Sequence, residues 1–306
     1  MNNIRIEAGG KMVPFESSKF FGAGERCLKL DATWLYGRPV FITFFYDGDQ
    51  SIIDLIMVVD ILKRQNCILE SLYIPYFPGG RQDRVCNTGE AFSLKVYADL
   101  INGLGFESVK VFDPHSDVTP ALINNCAVRD SGIFVLKSIL EIERVFRAKL
   151  ITQINDGQLD PTGIWDDNVG ITAKPPIVLV SPDAGSNKKI FNVAKFLKGE
   201  YDVVRADKIR DVTDGKIIDT QVFCDSLEGK IALIVDDIAS YANTFMRLSE
   251  KLKKKKADQV YLAVSHYEGV ADERSLKESG IDGVFTTNSF HRRIPQSDFV
   301  KIVMEF

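Results

Sequence analysis

The feature that most constrains the fold is a short apolar run that ends in two adjacent carboxylates. The run from Ile231 to Val235 is entirely apolar and predicts a buried strand of a parallel sheet. Asp236 and Asp237 follow it directly, before a polar loop and a helical pattern that begins at Thr244. In an open α/β sheet, ligands bind beyond the carboxyl ends of strands, and anions bind at the next helix N-terminus. The stretch therefore predicts either a site for a metal ion or a sugar diol, or two carboxylates that only cap a helix.

Apolar runs and helical patterns alternate along most of the chain. Strands are predicted at 39–46, 69–76, 109–112, 177–180, 201–205, 231–235 and 259–265. Helical patterns are predicted at 51–65, 91–102, 132–148 and 244–255. This alternation predicts an α/β fold with doubly wound, mostly parallel sheets. The length of 306 residues suits two domains, which we place at 1–147 and 148–306, with the last strand packing back on the first domain.

The bulk composition excludes several classes of protein. A net charge of −4 gives no reason to expect binding to nucleic acid or to an anionic membrane surface. The chain contains no apolar run of the roughly 20 residues that cross a bilayer, and its first residues lack the apolar stretch of a signal peptide. The five cysteines are scattered without a CxxC pair, which argues against disulfides and a zinc site. We therefore expect a cytoplasmic enzyme or binding protein.

Four segments in a fixed order resemble the ribose-phosphate diphosphokinase family, the enzymes that make phosphoribosyl pyrophosphate. They are Tyr73-Ile-Pro-Tyr-Phe-Pro-Gly-Gly-Arg-Gln-Asp-Arg84, Val111-Phe-Asp-Pro-His-Ser-Asp117, Val180-Ser-Pro-Asp-Ala-Gly185 and Ile234-Val-Asp-Asp-Ile238. Each motif is weak alone, but their order and separation span essentially the whole chain. The resemblance implies two tandem domains of the phosphoribosyltransferase type, with ATP and the sugar phosphate meeting at their interface. It also implies a homo-oligomer, either a dimer or a hexamer.

The reaction that the resemblance implies moves the β,γ-diphosphoryl group of ATP to the anomeric hydroxyl of ribose 5-phosphate and releases AMP. Such a transfer needs positioning, Mg²⁺, and cations placed where charge develops. By resemblance, Arg81, Gln82 and Asp83 would hold ATP, and Glu25 would lie near the adenine pocket, reaching across subunits. Considered without the family, the Gly-Gly-Arg-Gln-Asp sequence suits either a clamp for a polar ligand or a solvated turn.

The resemblance also suggests the metal-binding and catalytic residues. His115 and Asp183 match the positions that hold Mg²⁺, an ion that keeps several waters and needs few protein ligands. Lys208 and Arg210 match a catalytic loop whose cations neutralise the diphosphoryl oxygens. The alternatives are a turn histidine and an exposed pair of charges. We expect His266 and His291 to be structural, and the lysine-rich run at 251–256 to be a solvated helix end.

One motif departs from the family pattern. There, the two aspartates lead into a loop of about Asp-Thr-Gly/Ala-Gly-Thr, whose amides and hydroxyls wrap the 5-phosphate at a helix N-terminus. The residues expected to bind the sugar phosphate here are Asp236, Asp237, Ser240, Tyr241, Ala242, Asn243 and Thr244. Asn243 replaces glycine only in part, because glycine alone allows close approach of the backbone at unusual dihedrals. Tyr241 places an aromatic ring where it could block a small pocket or stack on a base.

The altered loop leaves the acceptor open. An extended acceptor such as ADP-ribose, giving ADP-ribose pyrophosphate for NAD resynthesis, is the alternative toward which this loop leans. The segment 151–176, which contains Trp165, lacks a clear period and could cover such a substrate or serve only as a linker. Ribose 5-phosphate is the other acceptor. A non-catalytic regulatory homologue and a phosphoribosyltransferase also remain open, and neither would form AMP from ATP and an acceptor.

Overall fold

The computed structural model describes residues 3–166, 170–210, 217–290, 294 and 297–306, without the side chains of Ser17, Arg210 and Ile217. Contacts within the chain divide it into two compact units. Unit 1 comprises Met1–Asp130 together with Phe306, and unit 2 comprises Ser131–Glu305. The domain boundary expected after 147 falls inside a helix that runs from Gly132 to Asn155, whereas this division precedes the helix.

Unit 1 is built on a six-stranded sheet. Its elements are β1 (Ile4–Ala8), β2 (Lys11–Met12), β3 (Phe15–Phe20), β4 (Arg26–Leu30), β5 (Pro39–Phe44), α1 (Asp49–Arg64), β6 (Ile68–Ile74), α2 (Ser93–Leu104), β7 (Ser108–Phe112), α3 (Val118–Leu122) and β8 (Cys126–Arg129). The strand order is β2-β1-β5-β6-β7-β8, and β5 to β8 are parallel. Strands β1 and β2 extend the sheet in antiparallel fashion, and β3 and β4 form a separate hairpin.

Unit 2 is built on a seven-stranded sheet. Its elements are α4 (Gly132–Asn155), β9 (Trp165–Asp166), β10 (Gly170–Ile171), β11 (Ile177–Ser181), a 3₁₀ turn (Ala184–Ser186), α5 (Asn187–Phe196), β12 (Asp202–Arg210), β13 (Ile217–Val222), β14 (Ile231–Ala239), α6 (Asn243–Lys254), β15 (Gln259–Tyr267), α7 (Glu273–Glu278), β16 (Gly283–Thr287), a second 3₁₀ turn (Asn288–Phe290) and β17 (Val300–Met304). The order is β13-β12-β11-β14-β15-β16-β17, with β13 alone antiparallel among these described strands.

The α/β fold with mostly parallel sheets, predicted from the sequence, is confirmed. Every residue of β11 is buried, and so are the first five residues of β14, as expected for strands that are covered on both faces. These two strands are parallel neighbours, with Val180 opposite Ile234. Their carboxyl ends therefore lie side by side, and the polar residues that follow each strand meet at one edge of the sheet.

Two details differ from the sequence pattern. The segment 151–176 begins as the last turn of α4 and contains the short antiparallel pair β9–β10, so that part of it is regular. Helix α2 ends at Leu104, two residues later than predicted, because Gly105 adopts the left-handed cap, with φ of 80°. In the described part of the chain, no helix combines the length and the apolar character needed to cross a bilayer.

Candidate functional site

The loop between β6 and α2 in unit 1 forms one part of the candidate site. Gly79 has φ of 76°, and a Cβ there would lie 2.8 Å from Cδ2 of Tyr97. Only glycine fits this tight turn, in which the amide of Gln82 donates to the carbonyl of Gly79 at 2.8 Å. The glycines of the Gly-Gly-Arg-Gln-Asp motif thus bend the chain directly after β6 and present the next three side chains at the carboxyl edge of the sheet.

A pocket of about 550 Å³ brings together most of the residues predicted for unit 1. Its lining includes Arg81, Gln82, Asp83, Arg84, Glu90 and His115. His115 comes from the loop after β7, the parallel neighbour of β6, so the topology places it against the arginine loop. The lining combines two guanidinium groups, an amide and an imidazole with the carboxylates of Asp83 and Glu90, and its nitrogen donors suit a ligand with several anionic oxygens.

Asp83 joins the two loops of this pocket. Its Oδ2 accepts a hydrogen bond from Ser116 Oγ at 2.7 Å, and its Oδ1 accepts one from Arg84 Nε at 2.8 Å. The bonds from Arg84 and Ser116 hold the pKa of Asp83 below its ordinary value. Asp83 is therefore an ionised residue that links the two loops, a role that its sequence motif alone does not indicate.

Glu25 lies apart from this arginine loop within unit 1. It is exposed in the turn between β3 and β4, where its carbonyl accepts the amide of Phe21 at 2.9 Å. Beside the turn of this hairpin, Arg26 makes an ion pair of 3.0 Å with Asp54 on α1, and both side chains are nearly buried. Glu25 is not among the described residues that line the 550 Å³ pocket, so its role at the adenine remains a prediction.

Unit 2 gathers charged side chains at the carboxyl ends of β11 and β14. Asp183 follows β11, and its Oδ1 accepts the amide of Ser186 at 3.1 Å, which caps the 3₁₀ turn. Its other oxygen, Oδ2, accepts a hydrogen bond from Lys208 Nζ at 2.5 Å. The predicted metal ligand and the predicted catalytic lysine are thus hydrogen-bonded to each other.

The two carboxylates at the end of β14 contact the same region. Ser186 Oγ donates to Oδ1 of Asp236 at 3.0 Å, and Lys189 Nζ lies 3.7 Å from Oδ1 of Asp237. The structure therefore brings together Asp183, Asp236 and Asp237. Neither Ser186 nor Lys189 was predicted from the sequence to belong to the site. Both residues lie in the turn and helix that directly follow a strand with an aspartate at its end. Such turns face the ligand-binding edge of an α/β sheet, so this position could have identified them.

The ionisation of these carboxylates differs. Burial acts to raise the pKa of Asp183, but the hydrogen bonds from Lys208 and Ser186 outweigh it, and the pKa lies below the ordinary value. Burial, followed by the charge of Asp237, raises the pKa of Asp236, and Lys189 opposes that rise. The pair on β14 therefore holds a proton more readily than Asp183 does.

The loop that departs from the family motif leads into α6. Ala242 is the N-cap residue of that helix and has φ of 57°, in the left-handed region. An L-residue in this conformation costs roughly 1–2 kcal/mol relative to glycine. Tyr241, beside it, is 67% exposed. The loop thus keeps a glycine-like turn at an alanine, while the tyrosine ring is open to solvent.

The remaining predicted residues have different outcomes. Arg210 is the last residue of β12, and its side chain is not among the described atoms. Residues 211–216 and His291 also lie outside the described residues. His266 is buried, and its Nδ1 lies 3.0 Å from Ser289 Oγ. In the lysine-rich helix end, Lys251 pairs with Asp219 at 2.6 Å.

The residues present fit a magnesium ion only in a sparse form. Among the described residues, no group of three His, Cys, Asp or Glu side chains is arranged to hold a metal. Mg²⁺ is commonly held by one or two carboxylates together with water and substrate phosphates. Asp183 offers an ionised carboxylate of that kind, but Lys208 holds one of its oxygens. His115 lies in unit 1 and Asp183 in unit 2, and their assignment to the metal remains a prediction.

Comparisons with known proteins agree with the motifs. A family model described as the phosphoribosyl synthetase-associated domain matches residues 207–304. The ribose-phosphate pyrophosphokinase of Thermococcus kodakarensis is 28% identical over 284 residues, covering 92% of this chain and 88% of that protein. The enzyme of the same name from Staphylococcus aureus (strain Mu50) is 26% identical over 279 residues, covering 90% and 77%.

A solved structure shows the same fold. The phosphoribosylpyrophosphate synthetase from Mycobacterium smegmatis superposes with a TM-score of 0.72 at 19% identity, covering 96% of this chain and 87% of that one. At that identity the likeness concerns the fold alone. The family model and the named relatives show that the chain is similar to ribose-phosphate pyrophosphokinases, and the structural neighbour shares its fold.

Proposed function

We propose that this protein is an ATP-dependent diphosphotransferase that transfers the β,γ-diphosphoryl group of ATP to the anomeric hydroxyl of ribose 5-phosphate and releases AMP. The observation that carries the proposal is the cluster of unit 2, in which Asp183 and its bound Lys208 adjoin the carboxylate pair through Ser186. The names of the relatives support this enzyme class, since they are ribose-phosphate pyrophosphokinases.

Unit 1 supplies the residues for the nucleotide. Arg81 and Gln82 line the 550 Å³ pocket and can donate to phosphate oxygens, with His115 on the same wall. A guanidinium group suits this task because it presents several donors in a fixed plane. Asp83 holds the two loops of the pocket in register through Ser116. Glu25 is proposed to contact the adenine from a neighbouring subunit of a homo-oligomer.

Unit 2 supplies the residues for the acceptor and for the transfer. Asp236 and Asp237 accept hydrogen bonds from the ribose diol, and this fixes the position of the anomeric oxygen. The loop from Ser240 to Thr244 lies at the N-terminus of α6, where the helix dipole and backbone amides favour the 5-phosphate.

The transfer itself depends on positioning and charge. The anomeric oxygen bonds to the β-phosphorus while its proton passes to solvent, the bond from that phosphorus to the α,β-bridging oxygen breaks, and that oxygen leaves as part of AMP. Lys208 and Arg210 neutralise the diphosphoryl oxygens as charge shifts onto AMP. Bound Mg²⁺ would polarise the phosphoryl oxygens, with Asp183 as its carboxylate ligand.

One observation keeps ADP-ribose as a second candidate acceptor. Tyr241 is 67% exposed in the loop assigned to the 5-phosphate, so its ring can stack on a base attached beyond that phosphate. The relatives' names refer to ribose phosphate and give no support to an ADP-ribose branch. Ribose 5-phosphate therefore stands first.

A direct assay distinguishes the two acceptors. The purified protein is incubated with Mg²⁺ and ATP, with ribose 5-phosphate in one reaction and ADP-ribose in another, and AMP is measured. AMP with ribose 5-phosphate supports the main proposal. AMP with ADP-ribose alone, lost in Tyr241→Ala, supports the second candidate. No AMP in either reaction refutes a diphosphotransferase and leaves a regulatory homologue or a phosphoribosyltransferase.

A further inference from the structure

Two side chains at the start of α5 contact the carboxylate pair of β14. Ser186 is 8% exposed, and its hydroxyl donates to Asp236 at 3.0 Å. Lys189 has a side chain that is 19% exposed, and its ammonium lies 3.7 Å from Asp237. Each of the two residues therefore contacts a different carboxylate of the pair.

A pair of adjacent carboxylates is poorly suited to bind a sugar diol unless a positive charge lies nearby. Asp237 is only 5% exposed, and two shielded carboxylates repel each other, so that one retains a proton or turns away. A protonated carboxyl group accepts hydrogen bonds from sugar hydroxyls less strongly than a carboxylate does. The pair therefore needs a nearby positive charge and a fixed orientation, and these are the two things that Lys189 and Ser186 can provide.

The electrostatic effects agree with this geometry. Burial, and then the charge of Asp237, raise the pKa of Asp236 to about 8, and the positive charge of Lys189 limits that rise. The hydroxyl of Ser186 also lies 3.3 Å from Asp183 Oδ1. Because Asp183 already receives the Ser186 amide at 3.1 Å, the single hydroxyl proton is available to Asp236.

We propose that Lys189 and Ser186 are positioning residues for the acceptor. The ammonium group of Lys189 favours the charged form of the carboxylate pair, and Ser186 orients Asp236, so that the pair presents acceptor oxygens to the ribose hydroxyls. Neither residue is placed on the substrate itself. The inference rests on the proposed function, in which Asp236 and Asp237 bind the ribose of the acceptor.

The test separates acceptor binding from nucleotide binding. Because hydrogen bonds and ion pairs of charged groups are involved, Lys189→Met should raise the KM for ribose 5-phosphate about 10- to 100-fold. The KM for ATP should change less than about 3-fold, and Lys189→Arg should recover most of the acceptor affinity because it restores the charge. Ser186→Ala should raise the same KM about 5- to 10-fold.

A neighbouring lysine provides a matched control. Lys188 precedes Lys189 on α5 and is exposed, so Lys188→Met should leave both KM values unchanged. Thermal unfolding of each variant shows whether it is folded. If Lys189→Met does not fold, the smaller Ser186→Ala change still tests the idea, since it removes a single oxygen atom.

The outcomes distinguish this inference from the proposed function. An unchanged acceptor KM in the folded variants, or an equal rise in both KM values, would overturn the positioning role. Failure of the wild-type protein to form AMP would instead count against the proposed function. In that case, calorimetric titration with ribose 5-phosphate alone tests the inference. Weaker binding by Lys189→Met than by the wild-type protein supports it. Equal binding by the two proteins, or no binding by the wild-type protein, overturns it.

Discussion

Replacing Lys208 with methionine should strengthen divalent metal binding while it lowers turnover. Lys208 Nζ donates to Oδ2 of Asp183 at 2.5 Å, and the two side chains are 17% and 24% exposed. A divalent cation that takes this oxygen must first displace the ammonium group. In our assignment the same ammonium is needed on the diphosphoryl group, so the variant gains affinity for the metal and loses the cation that assists the transfer.

The size of the effect follows from the geometry. Two unit charges 2.5 Å apart attract by about 7 kcal/mol at an effective dielectric constant of about 20. Desolvation and the ordering of the lysine side chain offset most of this attraction, and hydrogen bonds of charged groups contribute about 1.5–3 kcal/mol net. In Lys208→Met a divalent cation has no ammonium group to displace, so it should bind about 10- to 100-fold more tightly than to the wild-type protein. Loss of the transition-state contact should lower kcat by about 100-fold or more.

Titration with Mn²⁺ in the absence of nucleotide, followed by the electron paramagnetic resonance signal of the free ion, measures the first effect. Lys251→Met is a suitable control, because Lys251 also pairs with an aspartate, Asp219, at 2.6 Å but does not involve Asp183. Equal or weaker Mn²⁺ binding by Lys208→Met would refute the competition. Undiminished AMP formation by the variant would refute the catalytic assignment.

Three further changes test other parts of the molecule. Arg81→Ala should raise the KM for ATP about 10- to 100-fold. Arg64→Ala, at a side chain 75% exposed on α1 and outside the lining of the 550 Å³ pocket, should change it less than about 3-fold, and equal effects would contradict the pocket assignment. Ala242→Gly should raise the free energy of unfolding by up to about 1 kcal/mol in urea titrations, because it relieves a φ of 57°, and a loss of stability would argue against that strain. Arg26→Met should lower the free energy of unfolding by about 3–5 kcal/mol, because it leaves Asp54 buried without its ion pair, and adding Asp54→Leu should recover much of the loss. A loss well below this range would contradict a stabilising role for the pair.

The sequence was sufficient to predict the fold and the edges at which chemistry-bearing residues collect. Apolar runs that end in carboxylates predicted parallel strands, and parallel strands place their carboxyl ends together. Asp183 and Asp236 are 53 residues apart, yet Ser186 contacts both because β11 and β14 are neighbours. The pocket of Arg81 and His115 follows from the same rule applied to β6 and β7.

Other features depend on tertiary packing and could not be predicted from local patterns. The contact between Lys189 and Asp237 joins a helix to a strand 48 residues away, and a lysine on an α-helix is ordinarily expected to face solvent. The left-handed Ala242 was not predicted, because alanine gives no signal for positive φ. The end of α4 at Asn155 was missed because the residues after 148 carry no strong apolar period.

The two lysines that contact the carboxylates of unit 2, Lys189 and Lys208, lie on different kinds of backbone, and this difference indicates which one can move to a substrate. Lys189 lies in the first turn of α5, so backbone hydrogen bonds of the helix restrain its Cα beside Asp237. Lys208 lies on β12, and the register of β12 against β13 shifts between Ile209 and Arg210, the next two residues. Such irregularities often lie beside active sites, where they redirect side chains. The lysine beside the irregularity is therefore the one better suited to exchange its carboxylate for a phosphate, and the lysine on the helix is the one we propose to stay beside the carboxylate pair.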